Sequence, residues 1–221
     1  MSIVSASIPP HFGGIRQPLL DLLRRSVCLI CLGSPVLVPE SALAQEACPP
    51  AEDHSAALEQ LITQIQGAPD QGAARLLANE MWQFWADAPD ERAQAILDRG
   101  MTRRAAFDFL GALEDFDQLI AYCPDYSEGY NQRAFVHYLR RDFAAALADL
   151  DRALARSPRH VAALSGRALA LYGLSRLEEA RVALQSALAL NPWLPERNLA
   201  SPGGPLSPKA PARQAPEGED L

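Results

Sequence analysis

The residues of this 221-residue chain that could do chemistry are its cysteines, histidines and clustered carboxylates. Cys28 and Cys31 form a C-x-x-C, the spacing of a metal or redox pair. They lie inside an apolar run, Ser26 to Val38, which follows Arg16, Arg24 and Arg25 and precedes Ser41-Ala42-Leu43-Ala44-Gln45. Basic start, apolar middle and small residues at 42 and 44 read as a signal peptide over 1–44, cleaved after Ala44. The run is broken by Gly33 and Pro35 and falls short of the roughly 20 residues that cross a bilayer. The C-x-x-C is therefore filler in a removed segment, and no stable membrane anchor is expected after cleavage. The expected location is periplasmic, with release from the cell as the alternative. Cys48 and Cys123 remain, and two cysteines in an exported protein suggest one disulfide.

The histidines point to no catalytic centre. His11 leaves with the leader, His54 starts a helix in a polar setting, His137 falls at a helix-packing position and His160 in a turn. No H-E-x-x-H, G-x-S-x-G or P-loop occurs. Asp115, Asp117, Asp149 and Asp151 alternate with Arg152 and Arg156, the pattern of a charged helix face, not of a metal site. No metal, no cofactor and no enzymatic activity are expected. With 20 Lys+Arg against 27 Asp+Glu, the net charge of −7 also argues against a nucleic-acid partner, which would need a basic face.

What positions these residues is a repeat. Segments 93–126, 127–160 and 161–194 align without gaps. Small residues recur at Gly100, Ala134 and Ala168, and again at Ala112, Ala146 and Ala180. Bulky residues recur at Phe116, Leu150 and Leu184, arginine at Arg99, Arg133 and Arg167, and proline at Pro124, Pro158 and Pro192. Each unit reads as two helices with an apolar face at 3.6-residue spacing. In the second unit they would run about 128–139 and 143–156. Asp108, Asp142 and Ser175 stand where they could cap the second helix. The arginines are placed to pair with the aspartates at Asp115 and Asp149.

These positions resemble the tetratricopeptide repeat (TPR) family. The resemblance implies an all-α fold, a superhelix of stacked antiparallel helix pairs (an α-solenoid), since one repeat cannot bury its own face. Residues 45–52 would be an N-terminal arm. Residues 53–92 read as a degenerate helical pair capping the array, with Trp82 and Trp85 as packing residues. Residues 195–221, rich in proline and glycine, read as a disordered tail. The last repeat then either exposes an apolar edge or is covered by Trp193, Leu194 and Leu199 folding back.

The repeat frame places Cys123 at the end of a second helix and Cys48 shortly before the first one. Both thiols fall on one edge, so a Cys48–Cys123 bond can close; free thiols or an intermolecular bond are the alternatives. For function, the resemblance implies a non-catalytic scaffold of the cell envelope that binds a protein or peptide on its concave face. The family's ligand positions carry over to Leu97, Met101, Arg104, Asn131, Phe135, Tyr138, Leu169 and Tyr172. The chain lacks the Lys and Asn clamp that binds chaperone C-termini, with Leu97, Met101, Gln132, Ala162 and Gly166 at those positions. The alternative is an envelope assembly factor that self-associates, as a homodimer, through the edge of the last repeat.

Overall fold

The computed structural model describes residues 47–208; the expected signal peptide and residues 209–221 lie outside them. Nine helices occur among the described residues: α1 (Ser55–Gln66), α2 (Gln71–Trp85), α3 (Glu91–Ala105), α4 (Phe109–Tyr122), α5 (Ser127–Leu139), α6 (Phe143–Arg156), α7 (Val161–Gly173), α8 (Leu177–Leu190) and α9 (Arg197–Ala200). From α3 to α8 each helix packs on the next, and α5 also touches both α3 and α7. The result is a stack of three antiparallel pairs, one per sequence repeat.

Aspartates start four of these helices. Asp70, Asp90, Asp108 and Asp142 each accept a hydrogen bond from the backbone N–H three residues on, at 2.8–3.1 Å. The third repeat differs from expectation. Arg176 occupies the cap position of α8 without a side-chain cap bond. Ser175 lies one residue earlier with φ of 60°, matching Phe107 and Arg141 at 62°. The tight turn of every pair needs one left-handed residue there, and Ser175 fills that role.

Asp90 links a cap to pH. The Tyr122 hydroxyl, donating at 2.6 Å, and then the Ala93 N–H hold its carboxyl below the ordinary 3.8. A depressed folded value stabilises the fold above the unfolded value, and that contribution is lost as pH falls through the folded one. Tyr122→Phe is therefore expected to flatten the acid side of the stability curve below about pH 4. Urea titrations of both forms between neutral pH and strong acid measure it, and identical curves would refute it.

The arginine pairs form a ladder. Arg99 bonds Asp115 at 2.7 Å, and Arg133 grips Asp149 with two nitrogens at 2.6 and 2.7 Å. Arg133 also reaches back to Asp117, at 2.6 Å. In repeat three Ala183 replaces the aspartate, so Arg167 turns wholly to Asp151 of the preceding repeat, at 2.7 Å. The charged pairs thus pin adjacent repeats together.

The first and last segments depart from expectation. The α1–α2 pair does not extend the stack in front of α3. Leu61, Ile62, Ile65, Met81 and Trp85 bury instead with Val161, Leu190, Trp193 and Leu194 from the far end of the array. The Gln66 amide donates to the Ala189 carbonyl at 2.7 Å, Arg197 to Gln71 at 3.2 Å, and Arg159 pairs with Glu59 at 2.6 Å. The apolar face of the hairpin gains burial there because the last repeat offers an apolar surface to receive it.

Residues 195–208 are likewise ordered, not part of a structureless tail. Leu206 is completely buried in the cluster built by α5–α8, and Leu199 packs beside it. The Leu206 N–H donates to the Leu199 carbonyl at 2.8 Å. Few apolar residues suffice when a ready-made apolar face awaits them. No helix among the described residues is long and apolar enough to cross a membrane.

Candidate ligand-binding cavity

Cys48 and Cys123 are joined by a disulfide, 75 residues apart in sequence. The bond ties the arm before α1 to the end of α4, while α1 itself lies against α8. The α1–α2 hairpin thus crosses the array from its first repeat to its last. Trp85 marks the crossing: its ring stacks on His160 at 4.1 Å and its carbonyl accepts from the Tyr126 hydroxyl at 2.7 Å.

Beneath this crossing lies a buried polar network. Glu128 on α5 is fully enclosed. Its carboxylate meets His160 Nε2 at 2.8 Å, the Asn131 amide at 3.1 Å and the Gln132 amide. His160 Nδ1 accepts from the Ala163 N–H at 3.3 Å, which leaves Nε2 to donate to Glu128. Gln132 in turn accepts from Arg104, so the network surfaces at an arginine.

That arginine opens onto a cavity of about 390 Å³. Arg104, Asn131, Phe135, Tyr138 and Leu169, all expected on the concave face, line it together. Burial presses the Arg104 guanidinium below its ordinary value, against the pull of the Glu128 charge. Its plane lies over the Phe135 ring at 4.8 Å. The remaining expected residues lie elsewhere. Leu97 is fully buried among Phe116, Leu119 and Val136 and cannot meet a partner, and Met101 packs on the same cluster. Tyr172 is exposed but outside the cavity. The positions carried over from the resemblance thus divide between the cavity wall and the core.

Trp82, Leu194, Pro195 and Glu196 complete the wall. Trp82 was expected in the core, yet 39% of it is exposed. Nothing in the repeat frame could place it here, because it arrives with the displaced hairpin. Two wall groups have no partner: the Ser165 hydroxyl, on a residue 6% exposed, and one carboxylate oxygen of Glu196. A bounded, largely apolar space with a few converging polar groups is the usual form of a ligand pocket.

No family model matches the chain, and no curated protein does. Its likenesses are to solved structures. The first TPR domain of Spaghetti (RPAP3), bound to an HSP90 peptide, is 24% identical over 47% of this chain and 82% of that one, with a TM-score of 0.46. The Arabidopsis OM64 TPR domain is 22% identical over 50% and 91%, with a TM-score of 0.48. MamA of Desulfovibrio magneticus RS-1 is 17% identical over 65% and 78%, with a TM-score of 0.44.

One other grouping has cation-binding donor types. Atoms of Glu52, His54 and Asp87 lie within 4.8 Å of one another. His54 bonds Asp87 at 2.7 Å and packs on Phe84 at 5.0 Å, so the grouping fastens the arm to the end of α2 without needing an ion.

Proposed function

We propose that this protein is an exported, non-catalytic binding protein of the cell envelope, which holds a peptide partner through the cavity of its concave face. The observation that supports this most is the convergence of Arg104, Asn131, Phe135, Tyr138 and Leu169 on one cavity with unpartnered polar groups. Export is supported by the leader-like residues 1–44 and by the Cys48–Cys123 bond, which suits an oxidising compartment. The cavity wall offers one aliphatic hydroxyl, Ser165, and the Tyr138 phenol, with neither a histidine nor a cysteine to activate them, which favours binding over turnover. The packing of Trp193, Leu199 and Leu206 onto the end of the array favours peptide binding over self-association through the last repeat.

The test is capture of short peptides from an envelope digest by wild type and by the Phe135→Ala/Tyr138→Ala double variant. Phe135 is 44% exposed, so its loss leaves the fold intact. Removing two aromatic anchors is expected to weaken retention about tenfold or more. Equal recovery by both proteins would overturn the proposal.

A further inference from the structure

The cavity differs from an open groove in its added wall and in its unspent hydrogen-bonding groups. Trp82 from α2 and Leu194, Pro195 and Glu196 from the returning chain add a further wall to the helix face. At about 390 Å³ the space holds one long side chain and its neighbours, not an extended segment laid along several repeats.

Its polar groups are not equivalent. Arg104 is engaged by Gln132, lies on Phe135 and feels the buried Glu128 charge. Among the described residues no ion pair reaches Glu196, and one of its oxygens is buried without a hydrogen bond. Ser165, on α7, is also buried and unbonded. An unsatisfied buried acceptor is costly, so a ligand that brings donors gains the most here. Trp82 and Tyr138 bring further aromatic rings to the wall, which attract a cation, besides the Phe135 ring that already carries Arg104.

We propose that the cavity selects a peptide carrying a lysine, its aliphatic stem against Trp82, Phe135 and Leu169 and its ammonium donating to Glu196 and Ser165. This inference rests on the peptide reading above and names the chemistry of the partner. Arg104 is not in conflict with it. Four of the five guanidinium N–H donors remain free of the Gln132 bond, and a backbone carbonyl beside the lysine is the neutral acceptor that suits them.

Three end-blocked pentapeptides, Ala-Leu-X-Leu-Ala with lysine, glutamine or glutamate at X, separate the possibilities. They are titrated into the oxidised protein with tryptophan emission as the readout. The lysine peptide is expected to bind about tenfold more tightly than the glutamine peptide, the worth of one charge-assisted hydrogen bond. The glutamate peptide binds more weakly than either. Glu196→Gln removes the lysine preference, and Ser165→Ala reduces that preference without touching a charge. Thermal melts of each variant verify folding. Equal or tighter binding of the glutamine or glutamate peptide, or a lysine preference intact in Glu196→Gln, overturns the lysine inference and leaves the peptide reading standing. Binding of none of the three, with no response to Phe135→Ala, overturns both.

Discussion

Phe116→Ala is expected to destabilise the fold by about 3–5 kcal/mol, a large share of the roughly 5–15 kcal/mol that ordinarily holds a domain folded. Phe116 is completely buried at the centre of the α3–α4 cluster, between Ile96, Leu97, Ala112, Leu119 and Val136. Its ring lies directly over Gly100, where an added Cβ would stand 2.5 Å from the ring carbon. Neither helix can move in to fill the space, because α3 is held to α4 by Arg99 and Arg103 on Asp115, at 2.7 and 3.1 Å. The lost contacts therefore become a cavity, and cavity volume sets the upper part of the range. Chemical denaturation of wild type and variant measures the loss; a difference below about 1 kcal/mol would mean that the site collapses freely.

The same pair explains a size relation among the repeats. Glycine faces phenylalanine in the first, whereas alanine (Ala134, Ala168) accompanies leucine (Leu150, Leu184) in the others. Each combination fills a similar volume, and close packing tolerates only such paired exchange. The Gly100→Ala change alone forces the ring aside, so Gly100→Ala/Phe116→Leu should cost less than its parts. A favourable coupling of about 0.5–3 kcal/mol is expected for residues in direct contact.

Repeat length, helix pairs, the Asp108 and Asp142 caps and the seam residues were legible in the sequence, because each recurs at one offset and is set by local geometry, whereas Ser175 proved to be the left-handed turn residue and not a cap. The α5 and α6 boundaries, Ser127–Leu139 and Phe143–Arg156, show how closely that works. What lay outside the repeat was not legible. An amphipathic hairpin such as α1–α2 states that it has an apolar face but not which surface receives it. Trp82 therefore went unrecognised as a cavity wall. Leu206, alone among prolines and glycines, gave no period to read, although the apolar face of the last repeat left it a place to bury. Glu128 and His160 are each unremarkable in sequence, and only the crossing of the hairpin over two repeats shuts them from water together.

The disulfide is where a legible feature meets the illegible one, and its removal is the other large effect. A bond closing a loop of 75 residues restrains the unfolded chain by about 4–5 kcal/mol in the loop-entropy treatment. The paired variant Cys48→Ala/Cys123→Ala is thus expected to melt roughly 10–15 °C lower, given the usual relation between free energy and melting temperature for a chain of this size. Its effect should be local as well as global. The arm is fastened only by Cys123, by the His54–Asp87 bond and by the start of α1, so its release loosens the hairpin that carries Trp82. Amide exchange should accelerate first in α1 and α2 and last in α5–α8, where the main cluster is independent of the arm. A reductant should reproduce the drop in wild type and do nothing to the variant. Equal melting of wild type with and without reductant would show that the bond adds no stability. Uniform exchange across all helices would show that the hairpin and the stack open as one unit, so that the Trp82 wall of the cavity could not be released without unfolding the rest.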